Sequence, residues 1–187
     1  MLILEGQRID LRDHLASDLD VYHTLLSDPL TASYLSWRPT SRQASLIQLA
    51  EALYENEAQP RRKYYLAVVL KDTRQIIGNA GFTIESQNDQ GGVAELGYFL
   101  LKPYWGQGYA SEAVQLLVAY CFSVLDLHKV TATCDAENHA SEHVMQKCGM
   151  THEATRKKHT LLDGEWRDPL EYALLVENWD RSTHAAA

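Results

Sequence analysis

The chain has 187 residues, 45% of them hydrophobic and 22% charged, with a formal net charge of −8. This length and composition predict one globular domain, over residues 1–180, and a disordered tail over residues 181–187. The acidic balance argues against direct nucleic-acid binding, which depends on clustered lysine and arginine, and it suits a cationic substrate or partner.

The first third of the chain predicts one strand and two helices. Ile9–Arg12 alternates as a short strand, and the capping-box spacing of Ser17 to Asp20 begins a helix that reaches about Ser27. An irregular aromatic segment, Tyr34–Pro39, follows. Thr40 with Gln43 has the spacing to cap a second helix that runs to about Asn56.

The middle of the chain predicts three strands. Tyr64–Leu70 and Gln75–Ile84 form an antiparallel pair, and the polar stretch Glu85–Gly92 is expected to be a mobile loop. Val93–Leu101 is the third strand, and Pro103 ends it because proline has no N–H for a sheet. A helix with one apolar face follows from Ala110 to about Leu125.

The last third predicts a strand, a helix and a hairpin. Lys129–Cys134 is the strand, and Asn138–Lys147 is a helix closed by Gly149. Two final strands, Thr151–Leu161 and Arg167–Val176, face each other across the Asp163-Gly164 turn. This order of elements predicts a single-domain α/β (α+β) fold without repeats or linkers.

The targeting and redox signals indicate an ordinary cytoplasmic protein. The sequence shows no signal-peptide pattern, and no apolar run approaches the roughly 18 residues that span a bilayer, so no membrane contact is expected. Three cysteines, at positions 121, 134 and 148, form no C-x-x-C motif, so buried free thiols are expected.

Gly106 and Gly108 lie between the third central strand and its helix. A strand, a glycine turn and a helix together direct free backbone N–H groups and the helix dipole at one place, which suits a phosphate. The sequence lacks the Gly-Lys-Ser/Thr of a Walker loop and the βαβ start of a dinucleotide-binding fold. A tight turn without any ligand is the alternative.

The residues around these glycines, Pro103 to Ala113, read Pro-Tyr-Trp-Gly-Gln-Gly-Tyr-Ala-Ser-Glu-Ala. This run closely resembles the acetyl-CoA pyrophosphate loop of the GNAT superfamily of N-acetyltransferases, in particular the branch of the RimJ/RimL-type ribosomal-protein N-terminal acetyltransferases. Pro103 departs from the Gln or Arg of the general superfamily pattern. The resemblance implies the acyl-CoA N-acyltransferase fold, whose mixed central sheet splays between the strands at about 93–101 and 129–134.

The same resemblance implies the residues that hold acetyl-CoA, the co-substrate. Strand backbone near Gly97 would bond to the pantetheine arm, the glycine turn would hold the pyrophosphate, and the start of the later helix would lie beside the sulfur. The residues so assigned are Phe99, Leu100, Leu101, Trp105, Gly106, Gln107, Gly108, Tyr109, Ala110, Asn138 and Ser141. Helix capping alone is an alternative explanation of Asn138.

Glu95 and Ser141 are the candidate catalytic residues. Glu95 stands in an otherwise apolar run two residues before Gly97, where it is either a general base or a solvated charge. Many members of the superfamily have an acid tyrosine at the position that is Met145 here, so that tyrosine cannot be carried over. Ser141 is the weaker substitute as proton donor.

Two further patterns, a possible zinc motif and a group of aromatic residues, each have more than one interpretation. His139 to His143 matches the H-x-x-E-H zinc motif, with Glu171 as a third ligand, but the resemblance explains the same residues and no metal is expected. Tyr34, Trp37 and Trp166 either pack in the core or, as the resemblance implies, wall the acceptor pocket.

The expected reaction is direct transfer of acetyl from acetyl-CoA to a primary amine, most simply the α-amino group of a basic or ribosomal protein. A small amine acceptor (polyamine, amino acid or antibiotic) and a non-catalytic CoA-binding sensor are the alternatives. A homodimer is left open by the sequence.

Overall fold

The computed structural model describes residues 1–34 and 41–180. Its helices are α1 (Leu19–Ser27), α2 (Arg42–Glu57), α3 (Tyr109–Ser123) and α4 (His139–Lys147). Its strands are β1 (Ile3–Glu5), β2 (Ile9–Asp13), β3 (Lys63–Leu70), β4 (Ile76–Asn88), β5 (Gly91–Leu100), β6 (Lys129–Asp135), β7 (Thr151–Thr155), β8 (Thr160–Leu162), β9 (Glu165–Arg167) and β10 (Pro169–Leu175).

Eight of the strands form one mixed sheet in the order β1-β2-β3-β4-β5-β6-β10-β7. β5 and β6 run parallel, whereas the other neighbours in the sheet run antiparallel. The parallel pair is joined by α3, as a parallel connection requires a crossover. Within the described ranges, no helix is long and apolar enough to cross a membrane.

The N-terminal elements are close to prediction, with different caps. β2 is the predicted first strand, and β1, which was not predicted, pairs with it. α1 begins after a short 3-10 turn, where Asp18, rather than Ser17, accepts hydrogen bonds from the Leu15 N–H and from Arg12. Ser41 caps α2 by accepting from the Ala44 N–H, and the predicted cap Thr40 lies outside the described residues.

The predicted mobile loop over Glu85–Gly92 is wrong. β4 continues to Asn88, and β5 pairs with it from Gly91 onward, with a register shift between Ile84 and Ser86. The last four residues of β4 are exposed. They extend past the core, so their polarity reflects solvent on both faces and not the absence of a strand.

The predicted C-terminal hairpin is divided into shorter strands. The stretch expected to be one strand is interrupted between β7 and β8, and β10 lies between β6 and β7 in the main sheet. β8 and β9 pair separately across Asp163 and Gly164, which have φ of 50° and 83°. Positive φ at both residues is the geometry of a type I′ hairpin turn, as the Asp-Gly pair predicts.

Both faces of the sheet are covered. α3 packs on one face through fully buried side chains such as Leu117, each stabilising the fold by about 1.5–3 kcal/mol. α1 and α2 cover the other face, where Leu25 packs against Ala67 and Phe99. Since side chains alternate along β5, one face of this strand points to α1 and α2 and the other to α3 and α4.

The predicted splay of the sheet is confirmed. β5 and β6 pair from Val93 with Lys129 to Leu96 with Ala132, and no further. Beyond that point β5 stays paired with β4 and β6 with β10, so the two strands separate. Gly97 is the first residue of β5 after the pairing ends, and a Cβ there would meet nothing within 4 Å.

Candidate functional site

The separation of β5 and β6 opens a cleft of about 720 Å³. Its walls come from both faces of the sheet, with α1 and α2 on one side and the glycine turn, α3 and α4 on the other. All the predicted site residues line it except Leu101 and Gln107. The Leu101 N–H donates to the Ile77 carbonyl at 2.9 Å, and the Gln107 side chain turns back to donate to the Pro103 carbonyl at 2.7 Å.

The glycine turn has the geometry of an anion site. Gly106 and Gly108 have φ of 71° and 83°, and α3 begins at the next residue, Tyr109. From Gly106 to Ser111, no backbone N–H donates to an acceptor among the described residues. Consecutive free N–H groups at a helix N-terminus fit a pyrophosphate, and a Cβ at either glycine would enter the space that it needs.

Two side chains hold this turn, one to the end of β5 and one to the residue before β4. The Trp105 indole N–H donates to the Leu100 carbonyl at 2.6 Å, and the Tyr104 hydroxyl donates to Gln75 Oε1 at 3.0 Å. The same Leu100 carbonyl accepts from the Thr31 hydroxyl at 3.3 Å. The turn is therefore fixed relative to the point where the sheet opens.

A contact that the sequence does not reveal braces the turn from the other side. Glu112 accepts hydrogen bonds from the Arg8 and Ile9 N–H groups at 2.8 and 3.2 Å and from Arg8 Nε at 2.9 Å. Arg8 Nη1 then donates to the Gln107 carbonyl at 2.7 Å, and its guanidinium lies 4.6 Å from the Tyr109 ring centre. The β1–β2 turn thus places a cation against the glycine turn.

We expect Arg8→Ala to weaken acetyl-CoA binding about tenfold, the effect of losing one charge-assisted hydrogen bond. The variant loses both a brace of the turn and a positive charge beside it. Calorimetric titration with CoA measures the change. Arg74→Ala is the matched control, because Arg74 is a surface arginine paired with Asp10 outside the cleft lining. Equal affinities in the two variants would contradict this role for Arg8.

Glu95 lies on the α1–α2 side of the cleft. It is exposed, it faces Thr83 on β4, and no described residue pairs with its carboxylate. Apart from Asp135, which pairs with Arg167, the rest of that side consists of neutral side chains, among them Tyr22, Gln48 and Tyr65. Glu95 is therefore free to accept a proton from an amine that enters from this side.

Ser141 does not act alone on the α3–α4 side. Its Oγ lies 2.9 Å from the Tyr98 hydroxyl, which donates to the Ser141 carbonyl at 3.0 Å. Because the Ser141 carbonyl accepts the hydrogen bond from the Tyr98 O–H, the Ser141 O–H can point into the cleft. Burial raises the pKa of Tyr98 and, despite the hydrogen bond to Ser141, keeps its hydroxyl neutral.

Sequence reasoning missed Tyr98 because strand alternation places it with Leu96 and Leu100 on the core face. Asn138 is the helix cap: its Oδ1 accepts from the Ser141 N–H at 3.1 Å. Met145, at the position where an acid tyrosine was considered, is fully buried. The Tyr98–Ser141 pair is the proton donor available to a leaving sulfur.

We expect Ser141→Ala and Tyr98→Phe each to lower kcat roughly 3- to 10-fold, since a thiolate of pKa near 8.5 leaves with little assistance. If the hydroxyls act as one unit, the double variant is no slower than the slower single variant. Steady-state rates at saturating acetyl-CoA measure this, with Tyr172→Phe as the control outside the cleft. Multiplying losses in the double variant would show that the two act independently.

The residues of the H-x-x-E-H pattern have other partners. Glu142 accepts from the Tyr172 hydroxyl at 2.7 Å, and Glu171 pairs with Arg156 at 2.5 Å. His139 is 84% exposed. No three His, Cys, Asp or Glu side chains converge on a metal position in the part of the chain that is described.

The predictions for the aromatic residues and for the cysteines have different outcomes. Trp166 is 60% exposed on β9 and does not line the cleft, while Trp37 and the Tyr34 side chain lie outside the described residues. The three cysteines are free and buried, as predicted. Cys134 lines the cleft, but burial raises its pKa to about 11, so it is a thiol at neutral pH and a poor nucleophile.

Comparisons with known proteins agree with this geometry. The model of the acetyltransferase (GNAT) domain matches residues 8–151. "Uncharacterized N-acetyltransferase p20" of Bacillus licheniformis is 33% identical over 182 residues, covering 96% of this chain and 99% of the relative. The [ribosomal protein uS5]-alanine N-acetyltransferase of Escherichia coli is 26% identical over 141 residues, covering 75% and 70%. The structure of RimL, a ribosomal L7/L12 α-N-protein acetyltransferase, in complex with coenzyme A is 21% identical with a TM-score of 0.84, covering 95% and 100%.

Proposed function

The chain belongs to the acetyltransferase (GNAT) family and is an N-acetyltransferase, and from that premise we propose that its acceptor is the α-amino group of a protein N-terminus. Acetyl-CoA supplies an activated acetyl group. The finer assignment rests on the acceptor side of the cleft, which is the side lined by α1, α2 and the Glu95 face of β5.

Charge on that side favours an acceptor with a single amine. Among the described lining residues on the Glu95 face of the sheet, the charged side chains are Glu95 and Asp135, and Asp135 already pairs with Arg167 and accepts from the Glu137 N–H. Glu95 is therefore the one carboxylate there without a partner, and the remaining side chains are neutral. A polyamine or an aminoglycoside carries several ammonium groups, each of which would need a carboxylate or water. A protein N-terminus offers one amine followed by neutral peptide groups, which matches this lining.

The names of two similar proteins support the same acceptor. One relative is named for acetylation of an alanine of ribosomal protein uS5, and the RimL structure is named as an α-N-protein acetyltransferase. Their identities to this chain are 26% and 21%. Alanine-initiated peptides are therefore the first substrates to test.

In the proposed reaction, different parts of the cleft would bind acetyl-CoA, accept the proton of the amine and donate a proton to the sulfur. The turn at Gly106–Gly108 and the start of α3 hold the pyrophosphate, and β5 beyond Leu96 offers backbone groups that β6 leaves unpaired. An α-amino group has a pKa near 8 and is mostly protonated at neutral pH, so Glu95 accepts its proton. Ser141, supported by Tyr98, donates a proton to the departing sulfur. Since Cys134 stays a thiol, the acetyl group passes directly to the amine.

An amine panel tests the proposal. Release of the CoA thiol is measured with an alanine-initiated hexapeptide, the same peptide already N-acetylated, spermidine, free amino acids and an aminoglycoside. We expect the free peptide to have the highest kcat/KM and the blocked peptide to be inert. Faster turnover of spermidine, an amino acid or the aminoglycoside would favour the small-amine alternative. CoA binding without turnover of any amine would favour a sensor.

A further inference from the structure

A line of buried polar side chains connects the start of α1 to the acceptor side of the cleft. Asp18 is 6% exposed, His14 is 1% exposed and Asn79 is 7% exposed. His14 Nδ1 lies 3.5 Å from Asp18 Oδ2, and His14 Nε2 lies 3.2 Å from Asn79 Nδ2. Asn79 lines the cleft. The hydrogen bond to His14 uses the nitrogen of the Asn79 amide, and no described residue donates to its oxygen.

The charges around His14 fix the direction of the Asn79 amide. Arg12 binds Asp18 through both guanidinium nitrogens, at 2.7 and 3.0 Å, so the carboxylate is ionised. Burial opposes this, but the nearby His14 ring and the hydrogen bonds from Arg12 and the Leu15 N–H outweigh it and hold the Asp18 pKa well below its usual range. A carboxylate repels a lone pair, so the imidazole directs an N–H at Nδ1 toward Asp18. Nε2 is then an acceptor, and Asn79 directs its NH₂ group to it.

With its NH₂ group turned to His14, Asn79 directs its Oδ1 away from the histidine. No described residue donates to this oxygen. His14 is itself held in place by an edge-on contact with the Tyr22 ring, at 4.8 Å between ring centres, and Tyr22 also lines the cleft. The Asn79 oxygen is therefore a fixed acceptor that is available to an N–H donor in the cleft.

The position of this oxygen suits a peptide whose amine is at the opening of the sheet. Asn79 faces Phe99 across the β4–β5 ladder, and Gly81 faces Gly97, where the opening begins. Two residues along a strand span about 7 Å. A peptide's first N–H follows its amine by one residue, about 3.4 Å of extended chain, and a hydrogen bond spans about 2.9 Å more. The N–H can therefore reach the Asn79 side chain while the amine stays near Gly97 and the Glu95 carboxylate.

We propose that Asn79 Oδ1 accepts a hydrogen bond from the first peptide N–H of the acceptor, with His14 and Asp18 as positioning residues. This inference rests on the proposed function, because it requires a peptide acceptor. It makes the enzyme selective for an amine that is followed by a secondary amide. Free amino acids and polyamines lack that group.

Two hexapeptides that differ in one atom test the contact. Both begin with alanine, and in one the second residue is the corresponding α-hydroxy acid, so an ester replaces the first peptide N–H. We expect the wild-type enzyme to prefer the amide about 3- to 10-fold in kcat/KM, the size of one neutral hydrogen bond. Asn79→Leu should reduce this preference to about one. Asn79→Asp, which keeps an oxygen toward the cleft, should preserve it.

The matched control is Thr83→Val on the same face of β4, which should leave the amide preference as in the wild type. Melting curves show whether each variant is folded. If Asn79→Leu is not folded, the comparison of Asn79→Asp with the wild-type enzyme still tests the contact. Two results would overturn the role of Asn79 but not the proposed function. They are an equal rate for the amide and ester peptides with the wild-type enzyme, and an amide preference that is retained in a folded Asn79→Leu variant. Failure of every peptide while a small amine reacts would overturn the proposed function as well.

Discussion

Gly108→Val is expected to weaken acetyl-CoA binding at least 100-fold while the protein stays folded, and Gly106→Val should do the same. Both glycines have positive φ, at 83° and 71°, where a β-branched residue is strained. The added side chain also enters the space in front of the free N–H groups that would hold the pyrophosphate. Calorimetric titration with CoA measures the loss.

Gly164→Val separates strain from loss of the site. Gly164 has the same φ of 83° as Gly108, and a Cβ there would meet nothing within 4 Å, as at Gly106, but Gly164 lies in the β8–β9 turn outside the cleft lining. Left-handed geometry costs roughly 1–2 kcal/mol for a residue with a side chain, against a typical stability of about 5–15 kcal/mol. All three variants should therefore melt cooperatively, and only Gly164→Val should bind CoA normally. Normal CoA affinity in folded Gly108→Val would remove the turn from the binding site.

Glu95→Gln is expected to lower kcat roughly 100-fold or more, the usual scale for losing a general base. Glutamine keeps the size and polarity of the side chain but cannot accept the proton. Acetyl-CoA affinity should change little, because Glu95 faces α1 and α2 and the glycine turn lies on the other side. Rates with an alanine-initiated peptide, measured with saturating acetyl-CoA, give the comparison.

The pH dependence provides the sharper test of the Glu95 assignment. An α-amino group titrates near pH 8, so raising the pH increases the neutral fraction that can react without a base. The Glu95→Gln defect should therefore shrink between about pH 6 and pH 9. Glu85→Gln, which changes another exposed carboxylate in the same β4–β5 pair of strands, should behave as wild type. Two results would count against Glu95 as the base: a Glu95→Gln enzyme with the wild-type kcat across this pH range, or a Ser141→Ala enzyme whose loss of kcat is larger than that of Glu95→Gln.

Local signals predicted the parts of the fold and of the site that depend on neighbours in the sequence. The Gly106–Gly108 turn, the Asn138 cap and the Asp163-Gly164 turn each follow from backbone requirements of a few adjacent residues. The splay of the sheet came from the family resemblance, and no local pattern would have predicted it. Helix α3 was found because its apolar face has a regular helical period.

The missed features join residues that are far apart in the chain. The Arg8–Glu112 contact spans 104 residues and the Tyr98–Ser141 contact spans 43. Tyr98 has the alternation of a core residue, and Glu112 has the position of a solvated one, so neither pattern distinguishes a site residue. The end of β4 was missed for a related reason: polar residues there have no apolar neighbours to reveal the strand.

The opening between β5 and β6 passes through the sheet, so the two substrates need not compete for one entrance. In the proposed function, coenzyme A would reach the sulfur position from the α3–α4 face, and the peptide would arrive from the α1–α2 face. A bulky folded protein acceptor would then be able to remain bound while coenzyme A is exchanged on the opposite face. A bisubstrate inhibitor that joins coenzyme A to a peptide would have to pass through the gap beside Gly97. Because glycine has no side chain, this gap leaves room for the narrow linker of the inhibitor.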